Sequence, residues 1–213
     1  TVLDLDDGRI LHTSGGVSNF SEDGGLTLSD QKLLKDTNGN DIFATSVLKL
    51  RDGKNALGIV GKIRNAPPAE TPYPDFGGGG WVVFWRSDDL GETWSPPMRL
   101  TPPGFFTTVS LQDSAIVTSA GRIVVPMFFQ VPCVEDQPMP WTGKLVRGQW
   151  GNVVGHHFDK GITAIVVCYS DDGGRTWQCN KGGMLFIMQD MNSICRKANE
   201  PSVTELPADP DAG

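Results

Sequence analysis

Two carboxylates stand directly before predicted strands, where they could carry acid–base chemistry. Asp113 precedes the apolar run SAIV, and Glu200 precedes Pro201 in the stretch NEPSVTEL. A residue before proline is biased towards an extended backbone, which predicts that Glu200 lies at a strand entrance. Carboxylates that approach one another raise one another's pKa and can divide the roles of acid and base. The alternative is structural, because a carboxylate at a strand end also satisfies backbone amides.

Other familiar catalytic patterns are absent from the sequence, which contains no GxSxG, no HExxH and no glycine-rich phosphate loop. The adjacent His156 and His157 would point to opposite faces of a strand, which argues against a shared metal. Residues 36–41, DTNGND, begin like a calcium loop. However, Asp41 stands at the glycine position and Val47 at the terminal glutamate position, so a plain turn is predicted. We expect no metal and no cofactor.

Three eight-residue segments share one sequence pattern, which we call the template. Its positions are Ser, any residue, Asp, any residue, Gly, any residue, Thr, and Trp or Leu. The segments are SEDGGLTL (21–28), SDDLGETW (87–94) and SDDGGRTW (170–177), and such recurrence indicates a repeat architecture. The aspartate can accept hydrogen bonds from backbone amides of its own turn, while the glycine supplies positive φ. The threonine re-enters a strand, and the final Trp packs on the sheet. The template therefore predicts structural turns rather than a catalytic or calcium site.

Each templated turn is preceded by a hairpin signature, in which an apolar run, a glycine turn and a second apolar run follow one another. The signature occurs at 2–12, 47–62 and 115–129, and a further copy begins at 202–213. A third apolar run directly precedes the second and third templates. Each repeat thus predicts strand, turn, strand, loop, strand, templated turn and strand, which makes one four-stranded antiparallel sheet.

The template resembles the Asp-box of the sialidase superfamily. This resemblance implies an all-β chain, a β-propeller of the six-bladed sialidase type with about three four-stranded antiparallel blades present. The blades are expected at about 1–35, 42–102 and 105–185, with the start of a fourth at about 199–213. Because three blades cannot close such a ring, the chain is interpreted as the N-proximal half of a larger protein. The alternative is a small complete domain.

A bacterial branch of these sialidase-like proteins offers closer matches. In that branch a strand of the second blade ends with a lysine, and the stretch GKIRN places Lys62 at this position. The resemblance therefore implies that Lys62 or the nearby Arg64 contacts an anionic group of the substrate. The stretch QDSAIVTSAGRIVVPMFFQ retains Asp113, implied as a second carboxylate, and has Gln130 where that branch has a histidine. NEPSVTEL places Glu200 at the glutamate that polarises a tyrosine nucleophile from a later blade of sialidases. The resemblance implies catalytic roles for the two carboxylates and substrate contacts for the other three residues.

Two functions follow from the resemblance. The first is an exo-acting glycoside hydrolase like the exo-α-sialidases, with a terminal acidic or neutral sugar of a glycan as its substrate. The second is a non-catalytic propeller that binds glycans or protein partners, since this fold hosts many functions. The arginine triad of sialidases is not recognisable here, and the first-blade loop HTSGGVSNF has no aspartate for the acid–base role. A tyrosine and two arginines on later inner strands would favour the enzyme.

Composition agrees with a turn-rich β protein and excludes some partners. The 213 residues include 26 glycines and 15 prolines, and 38% are hydrophobic, as expected of short strands and many turns. A net charge of −7 argues against a nucleic-acid surface. No run approaches the about 20 apolar residues of a membrane span, and the N-terminus as given lacks a signal-peptide pattern. By family resemblance, an extracellular or periplasmic location is expected.

The cysteines offer one predicted pair. Cys168 stands two residues before the third templated turn and Cys179 two residues after it. A hairpin closed by that turn would place them opposite one another, within the Cα separation that a disulfide requires. We expect proximity, with a bond if the protein is exported. Cys133 and Cys195 have no partner defined by the sequence.

Two long insertions interrupt the predicted sheets, at 66–80 and 131–161. Long loops in compact domains are commonly functional. Their aromatic residues are candidate platforms for stacking sugars, although capping the core is an equal alternative; they are Tyr73, Trp141, Trp150 and Phe158.

Overall fold

The computed structural model describes residues 1–63, 81–100, 107–109, 114–132, 144–146, 149–151, 161–179, 185–188 and 201–207. All regular secondary structure in these ranges is β-strand, and no helix occurs among them. The predicted all-β class is therefore confirmed for this part of the chain. Accordingly, these ranges contain no helix that is long and apolar enough to cross a membrane.

The first two sheets have the same antiparallel topology, in which neighbours in sequence are neighbours in the sheet. The first sheet has the order β1 (Val2–Asp4), β2 (Ile10–Ser14), β3 (Val17–Ser21) and β4 (Lys32–Leu33). The second has the order β5 (Phe43–Lys49), β6 (Leu57–Ile63), β7 (Trp81–Ser87) and β8 (Met98–Arg99).

The third sheet repeats this topology and adds strands to it. Its main path is β10 (Ile116–Val117), β11 (Ile123–Pro132), β14 (Gly161–Ser170) and β15 (Gln178–Cys179). In addition, β9 (Thr107–Val109) pairs with β11, and β16 (Leu185–Met188) pairs with β14. A separate hairpin consists of β12 (Lys144–Val146) and β13 (Gln149–Gly151). The prediction of repeated four-stranded antiparallel sheets is thereby confirmed for all three sheets, and the third sheet carries two further strands.

The second sheet is buried on both faces, which explains why its strands are apolar almost without interruption. Side chains alternate between the two faces of a strand. On β6 and β7, Ile59 and Trp85 pack towards the first sheet, whereas Val60 and Phe84 pack towards the third. All four are at most 1% exposed. A sheet covered on both sides needs apolar residues at odd and even positions, as in WVVFWRS.

The first strands of successive sheets lie beside one another. Strand β1 contacts β5, and β5 contacts β10. Lys49 of β5 pairs with Asp6 after β1, and the Ala115 amide before β10 donates to Ser46 of β5. Residues 201–207 continue this series, because the Glu205 carboxylate accepts hydrogen bonds of 2.7 Å from the amide and the hydroxyl of Ser119. The sheets are therefore stacked in chain order.

The predicted cysteine pair is present. Cys168 on β14 lies opposite Cys179 on β15, the two residues form a disulfide, and their Cα atoms are 4.1 Å apart. The prediction of proximity is confirmed. Cys133 and Cys195 lie outside the described residues. So do Tyr73, Trp141 and Phe158, whereas Trp150 belongs to β13.

Candidate functional site at one end of the sheets

The sheets have two chemically different ends. One end carries the three templated turns, residues 21–28, 87–94 and 170–177, which we call the box turns; each joins the third strand of its sheet to the fourth. We call the opposite end the loop end. There the last residue of each second strand pairs with the first residue of the third strand: Ser14 with Val17, Ile63 with Trp81, and Pro132 with Gly161. The predicted insertion 66–80 lies between the second of these pairs, whereas the predicted insertion 131–161 was too long at both ends, because residues 131, 132 and 161 are paired in β11 and β14.

All three box turns share one hydrogen-bond pattern. In the first, the Gly25 amide donates to Ser21 Oγ at 2.8 Å, and the Ser21 hydroxyl donates to Asp23 Oδ1 at 2.8 Å. The Thr27 amide and hydroxyl then donate to the two carboxylate oxygens of Asp23, at 2.9 and 2.6 Å. The turns around Asp89 and Asp172 repeat these bonds. The predicted bonds to the aspartate are present, and they leave its carboxylate occupied within its own turn.

These hydrogen bonds favour the charged form of the aspartates. Donation from the Thr27 hydroxyl and amide lowers the pKa of Asp23 from 3.8 to about 2. Donation from Thr176 lowers the pKa of Asp172 to about 2 in the same way. Burial acts to raise the pKa of Asp89, but hydrogen bonds from Thr93 and Ser87 outweigh it and lower that pKa.

An acid-sensitive contribution to stability follows from these pKa shifts. Because the pKa of Asp172 is about 2 in the folded chain and 3.8 for the ordinary carboxyl, its contribution is present above pH 3.8 and is lost as the pH falls towards 2. We expect Asp172→Asn to lower the melting temperature most at pH 5–7 and to differ little from the parent near pH 2. Thermal unfolding of both proteins across this range checks the prediction. A difference that does not depend on pH would contradict it.

Hydrogen bonds and ion pairs join the second and third sheets at the end that carries the box turns. Arg86 of β7 donates to Asp52 at 3.0 Å, to Asp88 at 2.6 Å and to the Gly173 carbonyl at 2.7 Å. Arg175 of the third box turn also binds Asp52, at 2.7 Å. Burial acts to raise the pKa of Asp52, but the hydrogen bonds from the two arginines outweigh it and lower that pKa. These groups tie the third sheet to the second.

The loop end holds the two predicted substrate contacts that lie in described strands. Lys62 is the last but one residue of β6; it is half-buried and lies opposite Phe43 on β5 and Val82 on β7. Gln130 lies two residues before the end of β11, opposite Thr163. The structure therefore places both residues at the loop end, on the second strands of adjacent sheets.

The other predicted site residues, Glu200, Asp113 and Arg64, lie outside the described residues. The residues that follow the two carboxylates are described. Ser114 is 3% exposed, and Pro201 is also buried. Both begin segments that belong to the series of first strands.

A local irregularity that the sequence does not indicate lies at the loop end. The pairing of β5 with β6 shifts register between Ala44 and Ser46, and the Thr45 hydroxyl donates to the Val60 carbonyl at 2.9 Å. The Ala44 amide donates to the Gly15 carbonyl of the first sheet at 2.8 Å. Bulges are over-represented next to active sites, because they redirect a side chain. The FATS sequence of β5 gave no signal for this bulge, since threonine and serine fit a regular strand equally well.

The described residues contain no metal-binding cluster of histidine, cysteine, aspartate or glutamate. In the calcium-like segment, the Asp36 carboxylate accepts hydrogen bonds from the amides of Asn38 and Asn40, each at 2.9 Å. The Asn40 side chain donates to it as well, at 3.0 Å. This carboxylate is therefore occupied within a turn, in agreement with the predicted plain turn.

Comparisons with known proteins give only distant similarity. No family model matches the sequence, and no curated protein matches it. The Hadza microbial sialidase Hz136 is 15% identical with a TM-score of 0.48, over 84% of this chain and 36% of that one. A protein of unknown function from Dyadobacter fermentans DSM 18053 is 16% identical with a TM-score of 0.40, over 85% and 67%. NanB sialidase from Streptococcus pneumoniae is 15% identical with a TM-score of 0.35, over 91% and 30%. This chain thus spans about a third of the length of the two sialidases.

Proposed function

We propose that this chain belongs to an exo-acting glycoside hydrolase of the sialidase type, which removes a terminal acidic or neutral sugar from a glycan. One observation carries the proposal. The box turns occupy one end of the sheets with internal hydrogen bonds, while Lys62 and Gln130 both lie at the opposite end of their own sheets. That end also anchors both long insertions, which are the kind of loop that carries binding residues.

The proposal includes a six-bladed β-propeller, with blades at about 1–35, 42–102 and 105–185 and a fourth beginning at about 199. The adjacency of the first strands supports it, because such strands surround the axis of a propeller. In that arrangement, a segment that enters at the loop end and runs towards the box turns would place its first residue near the axial cavity. Glu200 and Asp113 each precede such a segment.

The proposed roles follow from the charge or the hydrogen-bonding groups of each side chain. Glu200 would polarise the nucleophile, and Asp113 would serve as the second carboxylate, since two neighbouring carboxylates can divide acid and base roles. Lys62 or Arg64 would pair with an anionic group of the sugar. Gln130 would donate hydrogen bonds to its hydroxyls.

Glu200→Gln tests the proposal, with Glu205→Gln as the matched control. Glutamine keeps the size of Glu200 but removes its charge, so we expect turnover of aryl glycosides, a sialoside included, to fall by about 100-fold. Glu205 is a glutamate of the same segment, but it binds Ser119 near the box turns, and its replacement should leave turnover unchanged. Equal turnover by the parent and Glu200→Gln would reject the catalytic role.

A non-catalytic propeller that binds glycans or proteins is the second candidate. One observation favours it: the turn between β2 and β3 is short, with Gly15 and Gly16, and offers no carboxylate for acid–base work. Absence of turnover by the parent, together with retained binding on a glycan array, would establish this candidate instead. The disulfide supports export for either function, because disulfides persist in oxidising compartments such as the periplasm or the extracellular space.

A further inference from the structure

An exposed asparagine is followed by glycine in the turn that connects the first sheet to the second. This turn, residues 36–41, lies between β4 and β5. Asn38 and Gly39 are both exposed, and the carboxamide of Asn38 makes no hydrogen bond to any described residue. The backbone nitrogen of a following residue can attack an asparagine side chain, and glycine hinders that attack least because it has no Cβ.

The other described asparagines are protected against this attack, each by a different feature. Asn19 is 5% exposed, and its side chain donates to a backbone carbonyl at 2.8 Å. The Asn40 side chain donates to the aspartate that begins the turn, at 3.0 Å. Asn55 is exposed but precedes Ala56, whose Cβ hinders the approach. Among the described asparagines, only Asn38 therefore combines exposure, an unengaged carboxamide and a following glycine.

The surroundings of the glycine both favour and oppose the attack. Lys35 Nζ lies 3.5 Å from the Gly39 carbonyl oxygen. A nearby cation favours the ionised form of a group that loses a proton, and the Gly39 nitrogen must lose its proton to attack. This amide donates to the Asp36 carbonyl at 2.9 Å, so the bond must first open, as exposed turns do at low cost in free energy. The fold therefore slows the attack without preventing it.

We propose that Asn38 is a site of spontaneous deamidation, which converts this turn into an isoaspartyl form. The Gly39 nitrogen forms a bond to Cγ of Asn38, the bond between Cγ and Nδ2 breaks, and ammonia leaves with the proton of the glycine amide. Water then opens the cyclic imide at either carbonyl and gives isoaspartate or aspartate at position 38. This reaction does not depend on the proposed hydrolase activity.

The isoaspartyl form loses hydrogen bonds that hold the turn together. It has one more backbone carbon between the amides of Asn38 and Asn40, which both donate to Oδ1 of Asp36 at 2.9 Å. Because Asp36 is 6% exposed, a lost donor leaves a buried carboxylate incompletely paired. The Thr37 amide of the same turn donates to the Trp94 carbonyl of the second box turn at 2.9 Å. Deamidation therefore weakens the junction between the first and second sheets.

Peptide mapping by mass spectrometry tests the modification, after incubation of the full-length protein at mildly alkaline pH. Trypsin releases Asn38 in the peptide 36–49 and the exposed control Asn55 in the peptide 55–62. We expect deamidation at Asn38, assigned by fragmentation, to be at least about tenfold faster than at Asn55, because alanine hinders the attack. Isoaspartate should be among the products. Equal rates at the two asparagines, or aspartate as the sole product, would overturn the proposal.

Two substitutions test the route through the imide. Gly39→Ala should slow deamidation at least about tenfold; the added Cβ meets no atom within 4 Å, although φ of +82° strains the alanine. Since this strain could open the turn, Asn38→Gln is the second variant. It keeps the carboxamide but must close a larger ring, so it should not react. Unchanged deamidation in Gly39→Ala, or a reaction confined to the urea-unfolded parent, would overturn the proposal.

Thermal unfolding measures the structural consequence. The incubated parent should lose about 3–6 °C in melting temperature, as expected for losing a hydrogen bond to a charged group. Incubated Asn38→Gln should melt as it did before incubation. A deamidated parent with an unchanged melting temperature would show that the turn does not stabilise the junction and would overturn that part of the proposal.

Discussion

Replacing Gly174 with alanine is expected to destabilise the protein by about 3–4 kcal/mol, as the sum of backbone strain and overpacking. Gly174 has φ of +89°, which is costly for any residue with a Cβ. A Cβ at this position would also overlap three atoms of the Phe84 ring. Phe84 is 1% exposed in the core between the second and third sheets, so a shift of the ring would disturb the packing of that core.

Gly8→Ala is the matched control for this substitution. Gly8 has the same φ of +89°, but a Cβ there would have no atom within 4 Å. It should cost only about 1–2 kcal/mol, the backbone part of the effect. Denaturant unfolding of both variants with fluorescence detection measures the difference. Equal losses would show that the third box turn does not pack on Phe84 as described.

Trp85→Ala is expected to cost about 3–5 kcal/mol, the usual range for deleting a buried large aromatic side chain. Trp85 is 1% exposed and lies in the core that joins the first and second sheets. The cavity would be flanked by strands on both sides, which limits relaxation. The first sheet has no other described sheet to support it, so it should lose protection in hydrogen exchange before the third sheet does.

Trp85→Phe separates the apolar contribution of this side chain from its polar atom. The buried Nε1 of Trp85 has no acceptor among the described residues, and a buried donor without a partner is unfavourable. Phenylalanine removes that donor and keeps most of the apolar area, so we expect a loss of only about 1–2 kcal/mol. A loss equal to that of alanine would indicate that the indole N–H is satisfied in solution.

The parts of the fold that could be predicted are those determined by interactions between residues close together in the sequence. The run around Gly53 predicts the hairpin of β5 and β6, because two apolar runs flank a glycine turn. The box turns follow from serine, aspartate, glycine and threonine at fixed spacing, since their hydrogen bonds span four residues or fewer. The disulfide follows from the same turn geometry.

Features that join distant parts of the chain could not be predicted. Arg86 reaches the Gly173 carbonyl across 87 positions of sequence, and no pattern around either residue indicates the other. The bulge at Thr45 also depends on the neighbouring sheet, which binds Ala44 through Gly15. Such contacts arise only after the sheets are stacked.

The candidate site was predictable only in part. Lys62 and Gln130 were identified by resemblance, and strand direction then places both at the loop end. To assign roles to Glu200 and Asp113 requires the distance between their two carboxylates, which no local pattern in the sequence determines. Their function therefore stays a prediction, which Glu200→Gln tests for the glutamate.

The brevity of the fourth strands has a consequence for behaviour at high concentration. Strands β4, β8 and β15 are each two residues long, and the last is held to β14 by the disulfide of Cys168 and Cys179. A long, flat outer strand presents unpaired amides and carbonyls on which another molecule can extend the sheet, and short or charged outer strands prevent this. Lys32 and Arg99 add a positive charge to two of these three strands. The edges that these three strands form are thereby poor templates for fibril growth.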